Sequence, residues 1–305
     1  AVAVRTPDGS NFLLNGGRRV WDWHNPGNLP DRHDVGERTV APFYLSRRTK
    51  TLDLVVAQST EPQYLGGLPY ILKQFAVERV VGPLQKEKFI PLRKQTYLNA
   101  LGDEYYRSHS GSSWFQNDYY GSWKRFWNPI KTREFPGGRS ELKLKVLHPP
   151  ANTNYEHHSS SNRSLVLSLK VGPDFSMLLP GDIRGEAQKD LVKYYSKDTI
   201  NHDVMLVPSN GTQKSSFRED FVRAVNPNKL IFSTGYPDIK GPLAGKLSKQ
   251  LSRNWSKARS MFSGDNLYRT DRDYAIMLSV DTEDVVIETY ADRVSEPETT
   301  GQLAL

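Results

Sequence analysis

The chain has 305 residues, of which 37% are hydrophobic and 25% charged; this is enough apolar material for a sizeable core and excludes wholesale disorder. No apolar run is long enough to cross a bilayer as a helix, and cysteine is absent, which removes disulfides, thiolate ligands and cysteine nucleophiles. Lys and Arg number 41 against 34 Asp and Glu, a formal charge of +7 that suits phosphate-rich polymers or anionic headgroups but is also an ordinary solubility device.

Ala1-Val2-Ala3-Val4 reads as a strand rather than a secretory leader. With the Pro7-Asp8-Gly9 turn and Phe12-Leu13-Leu14 it predicts a hairpin closed by Gly16-Gly17. Residues 18–39 are loop-like, rich in Asn, Asp, Pro and Arg. A buried strand is expected over 52–57, a helix over 68–75 after Gly66-Gly67, and a short strand over 77–81, a βαβ rhythm. That rhythm breaks between Asp103 and Arg139, where ten aromatics mix with Gly, Ser, Asn and Pro without a period. Strands are expected again at 142–147, 165–169 and 175–179, with His157-His158-Ser159-Ser160-Ser161-Asn162 as a loop between the first two. A helix over 185–195 leads to a strand at 204–207, a helix over 215–224 and a strand over 229–234. Over 246–262, Leu247, Leu251, Trp255, Ala258 and Phe262 share one helical face. Strands at 275–280 and 285–290 precede a polar tail. Runs of strands punctuated by helices suggest packed sheets with helices outside, in one domain over 1–294 with an aromatic insertion at about 103–139 and a tail over 295–305.

Several strings carry a resemblance. Thr6-Pro7-Asp8-Gly9 with Phe12-Leu13-Leu14-Asn15-Gly16-Gly17 resembles the opening of a metallo-β-lactamase-fold domain. Leu52-Asp53-Leu54-Val55-Val56 leading to Leu65-Gly66-Gly67-Leu68-Pro69 resembles that fold's second strand and the helix after its metal loop. Asn162-Arg163-Ser164-Leu165, Leu178-Leu179-Pro180-Gly181-Asp182 and Val207-Pro208-Ser209-Asn210-Gly211-Thr212 are similar to strings of the ComEC-type competence proteins. So are Ser233-Thr234-Gly235-Tyr236 and Tyr268-Arg269-Thr270-Asp271. The order holds from about residue 1 to 290 outside the aromatic insertion. The resemblance implies an α/β (α+β) fold, a four-layer αββα sandwich, and a cell-envelope setting. It also implies a further strand ahead of Ala1, and relatives that act on DNA.

The departures from that family bear on chemistry. Its metal loop has the pattern H-x-D-x-D-H before the two glycines, where this chain has Ser59, Glu61, Gln63 and Tyr64. Its "PHHG" reads Pro208-Ser209-Asn210-Gly211, and of the ligands only the aspartate of "PGD" is kept, as Asp182. A dinuclear hydrolytic site takes about five or six His and carboxylate ligands plus an activated water. Ser, Asn, Gln and Tyr are neutral and bind zinc or manganese poorly. No metal and no cofactor is therefore expected, and no catalytic residue. Asp182 reads more simply as a cap for the following helix or a closer of the Pro-Gly turn. Ser59 and Ser209 read as exposed, with no histidine at a matched position to make a triad. His24 and His33, with Asp31 and Asp34 beside them, could make a new cluster, and a rearranged metal site would be built from Asp182, Glu61, His24 or His33.

Two surfaces remain as binding candidates. Lys246, Lys249, Arg253 and Lys257 cluster opposite the apolar stripe of the 246–262 helix, with no acid between Lys240 and Asp265. Such a ridge suits a phosphate backbone, an acidic protein surface, or simply solvent. In the aromatic insertion, Trp114, Tyr119, Trp123 and Trp127 stand among Arg125 and other cations. That composition fits base stacking, a protein contact, or packing back onto the domain. The expectation is a fold that has lost its hydrolase chemistry and works by binding: first a protein partner or assembly, then single-stranded nucleic acid. A metal-dependent phosphodiesterase with a rearranged site is the alternative from a different class.

Overall fold

A computed structural model describes residues 1–6, 9–18, 34–59, 61–78, 80–82, 130–131, 142–150, 158–235, 242–280 and 285–290; residues 62, 130–131 and 242–248 are described as backbone only. The Pro7-Asp8 turn, His24, His33, His157, the aromatic insertion apart from 130–131 and the tail from 295 lie outside the described residues. The chain is mixed α/β with several sheets and helices, grouped into two compact units. One comprises 1–129 with 146–166, and the other 130–145 with 167–305.

In the first unit, β1 (Val2–Arg5) and β2 (Asn11–Leu14) form the expected antiparallel hairpin. Parallel to β2 lies β4 (Leu54–Val56), and beyond it β6 (Val80–Val81). The anticipated strand over 52–57 is two strands. Its opening residues, β3 (Thr51–Leu52), pair instead with β5 (Ala76–Val77). The break falls at Asp53, whose carboxylate accepts the Asn11 main-chain N–H at 2.7 Å. The expected loop ends early: Gly36–Val40 makes a wide helical turn that runs into α1 (Ala41–Leu45). Two helices, α2 (Pro62–Leu65) and α3 (Leu68–Gln74), follow β4. Leu13, Val40, Tyr44, Leu52, Val55, Leu68, Ile71 and Phe75 are buried together as the core of this unit. Each large apolar side chain so buried contributes about 1.5–3 kcal/mol.

Three backbones cross without side chains between them. A Cβ on Gly67 would stand 2.2 Å from the Gly16 carbonyl oxygen and 2.5 Å from the Gly36 nitrogen. The Gly67 N–H donates to the Gly17 carbonyl at 3.1 Å, and the Gly16 N–H to the Tyr64 carbonyl at 2.7 Å. This crossing fixes where the chain after β4 turns back, and so places residues 58–64.

A seven-stranded sheet carries most of the remaining strands. In chain order these are β7 (Ile130–Lys131), β8 (Leu142–His148), β9 (Val166–Val171), β10 (Phe175–Leu179), β11 (Val204–Leu206), β12 (Lys229–Phe232) and β13 (Leu267–Arg269). Their spatial order runs β13-β12-β11-β10-β9-β8-β7. From β10 to β13 the strands are parallel, so the turns at 180–184, 207–216, 233–235 and 270–273 leave the same end of the sheet. The helices are α4 (Gly185–Tyr194), α5 (Lys197–Ile200), α6 (Glu219–Val225), α7 (Pro242–Arg259) and α8 (Thr270–Asp273). A two-stranded antiparallel ribbon pairs β14 (Ile276–Val280) with β15 (Val285–Thr289). Among the described residues no helix is long and apolar enough to cross a membrane.

Candidate functional site

In the first unit, the loop after β4 is held by amides. Asn15 sits at φ 66°, which turns its side chain to the loop. It donates from Nδ2 to the Gln58 side-chain oxygen and accepts the Gln58 main-chain N–H, each at 2.8 Å. Gln58 Nε2 donates to the Leu165 carbonyl at 2.9 Å, and the Leu165 N–H returns to the Gln58 carbonyl at 2.7 Å. Ser59 is fully buried, contrary to the exposed position read from sequence, because its hydroxyl oxygen accepts the Glu61 N–H at 3.2 Å. Glu61 is half-buried and accepts the Ser160 hydroxyl at 3.0 Å. Gln63 is half-buried, and Tyr64 is buried beside the glycine crossing. Nearby in sequence to this loop's partners, His148 is fully buried, with Nε2 2.7 Å from the Asn162 carbonyl. Burial pushes the imidazole down to about 4, so at neutral pH the ring is uncharged and Nε2 carries the proton that it donates.

In the second unit, Asp182 is buried in the turn after β10, and the N-cap of α4 is Arg184 rather than Asp182. Ser209 is also buried, at 1% exposure, which corrects its reading as an exposed residue. Its hydroxyl donates to the Asp182 main-chain carbonyl at 3.1 Å, and its N–H to the Gly181 carbonyl at 2.9 Å. Ser209, Asn210 and Gly211 follow one another at φ 49°, 55° and 73°. A left-handed conformation costs a residue like Ser209 about 1–2 kcal/mol, so the turn is held from outside. The holder is Asn254 of α7, 1% exposed, whose Nδ2 donates to the Gly211 carbonyl at 2.7 Å and the Gln213 carbonyl at 3.0 Å. Gln188 of α4 does the same for the neighbouring backbone, with Nε2 directed at the carbonyls of Ser215 and Ser216 at 3.1 and 3.2 Å. Neither amide is marked by the apolar periodicity of its helix. Their signal is a polar residue inside an apolar stripe.

Among the described residues, one nucleophile–base pair stands out. Ser168 Oγ lies 2.6 Å from His202 Nε2, and His202 Nδ1 lies 2.9 Å from the Ile200 carbonyl. The carbonyl requires a proton on Nδ1, so Nε2 accepts from the serine. Both residues are buried, at 3% and 1% exposure, and burial lowers the imidazole's pKa. With both side chains buried, the pair serves as a hydrogen bond tying β9 to the residue pair ahead of β11.

The described cations of the α7 ridge, Lys249, Arg253 and Lys257, are exposed, while Ala258 and Asn254 are buried and Leu251 and Trp255 half-buried. Lys246 is in α7, its side chain outside the described residues, as are Trp114, Tyr119, Trp123, Arg125 and Trp127 altogether. Trp255 is packed on several sides. The Phe232 ring meets it edge to face at 5.2 Å, and the Arg269 guanidinium lies over it at 5.0 Å. Arg269 is itself paired with Asp271, which also accepts the Thr234 hydroxyl at 2.8 Å. Those contacts hold the Asp271 carboxyl below its ordinary range against the opposing effect of burial.

A metal pair fits neither set of matched positions. Ser59, Glu61, Gln63 and Tyr64 supply one carboxylate in the first unit, and Asp182, Ser209 and Asn210 one in the second, with no imidazole in either. Among the described residues, no group of three or more His, Asp or Glu is gathered so as to hold an ion. No family model matches the chain, and no curated protein matches it.

Proposed function

We propose that this chain is a catalytically inactive protein of the metallo-β-lactamase fold, an αββα sandwich of ComEC type that has lost its metal ligands and works as a binding or structural subunit. The observation that supports this reading is how its substituted positions are used. The Ser59 hydroxyl closes a turn on the Glu61 N–H, and the Ser209 hydroxyl is directed at the Asp182 main-chain carbonyl. Side chains at ligand positions serve their own backbone, as neutral groups suited to turns and poor at holding divalent ions. Contact with a protein partner or assembly is the first mode of action. Single-stranded nucleic acid is the second, favoured by the exposed cations of α7. Elemental analysis of the purified chain, beside a phosphodiester hydrolysis assay, tests the proposal. The expected result is neither bound transition metal nor hydrolysis. Stoichiometric zinc or manganese, removable by chelator with loss of nuclease activity, would establish the rearranged phosphodiesterase instead.

A further inference from the structure

Along α7, Lys249, Arg253 and Lys257 repeat every fourth residue, which places them about 6 Å apart along one side of the helix. Like charges at this spacing repel, and outer helices ordinarily alternate them with acids. Here no acid stands between residues 241 and 264, and among the described residues none of the three makes an ion pair, whereas Arg218 and Arg269 each do. The ladder is also held rigidly. Asn254 is fastened from the inner side of the helix to the Gly211 and Gln213 carbonyls, and Ala258 is fully buried.

We propose that this ridge docks an acidic helix of a partner protein, with carboxylates at the same four-residue period meeting the three cations. The inference rests on reading the chain as a binding protein, and names the face and the partner's chemistry. Charge complementarity selects an anionic occupant. Among the described residues, the aromatic geometry on this helix favours protein over single-stranded nucleic acid. Base stacking needs an open ring beside the cations, and Trp255, the single aromatic of α7, is engaged by the Arg269 guanidinium over its ring and by Phe232 in a T-shaped contact.

The test measures binding of the full chain to an alanine-rich peptide with glutamate at every fourth position, and to oligodeoxythymidylate of matched charge, by fluorescence anisotropy at low and raised salt. Wild type should bind the peptide more tightly than the oligonucleotide. Lys249→Glu with Arg253→Glu and Lys257→Glu should weaken the peptide about tenfold or more and gain affinity for the lysine counterpart. A milder triple change to Gln gives the same direction should the charge reversal fail to fold. Arg38→Glu with Lys50→Glu, exposed in the first unit, should leave peptide binding unchanged. Three results overturn the proposal: equal peptide affinity after reversal, equal loss from the Arg38 and Lys50 changes, or tighter binding of the oligonucleotide. Each is separate from metal content and hydrolysis, which test the loss of catalysis.

Discussion

Asn254→Asp changes one atom type in a buried site and should make the second unit's stability depend on pH. In the native chain, Nδ2 is the donor to the Gly211 carbonyl, while the Gln213 carbonyl also receives the Ser216 N–H at 3.2 Å and hydroxyl at 2.7 Å. An ionised carboxylate at this position cannot donate, and would face the Gly211 oxygen from a site 1% exposed. A protonated one can donate and keep that bond. The variant's folded-state pKa is therefore raised above the unfolded value of about 3.9. Below that value the loss is limited to about 1 kcal/mol, one weakened hydrogen bond. Above it the penalty grows by about 1.4 kcal/mol per pH unit until the folded-state pKa is reached. Urea denaturation of variant and wild type, paired at each pH from about 4 to about 7, should show the difference widening with pH. Asn254→Ala, which orphans the Gly211 carbonyl without adding a charge, should cost about 2–3 kcal/mol at every pH. A difference for Asn254→Asp that is flat with pH would refute the claim that a donor at this point holds the 209–211 turn.

Gly67→Ala should destabilise the first unit by about 3 kcal/mol or more, since the added carbon meets main-chain atoms of Gly16 and Gly36 that cannot move aside; a melting temperature within a degree or so of wild type would contradict this. His148 has a folded-state pKa below its unfolded one, so its contribution is complete above about 6.5 and is lost as pH falls toward 4. Acid should therefore cost the first unit about 3 kcal/mol through this ring, and His148→Gln should flatten the urea midpoint across that window. Ser168→Ala leaves His202 Nε2 buried without its donor, and should lower stability by about 1–2 kcal/mol while leaving the secondary structure seen by circular dichroism unchanged.

Elements with a long apolar period were legible from composition and spacing, as α4, α7, β10 and the β14–β15 pair illustrate. The reading lost accuracy where a polar side chain redirects the backbone. Asp53 divides one apolar run between two sheets by accepting a main-chain N–H from β2. The helix expected from Ser215 starts at Glu219, because the Ser215 and Ser216 carbonyls face Gln188. The turn at 36–40 was hidden by its Gly, Glu, Arg and Thr content; it is helical because Asp34 accepts the Glu37 N–H at 3.2 Å and Val40 packs into the core. Ser59 and Ser209 were visible in sequence as neutral residues where the resembled family carries imidazoles. Their burial was not, since a serine that bonds to its own loop is indistinguishable by type from one in water.

The meeting of Gly16, Gly36 and Gly67 has an evolutionary corollary. Three segments far apart in the chain share one gap in which even a methyl group has no room. A side chain at Gly67 is barred by Gly16 and Gly36, one at Gly36 by Gly67, and one at Gly16 by Leu68, the residue after Gly67, so each place is constrained by another segment of the same crossing. A chain of different surface that makes the same crossing should therefore still carry the smallest residue at all three places.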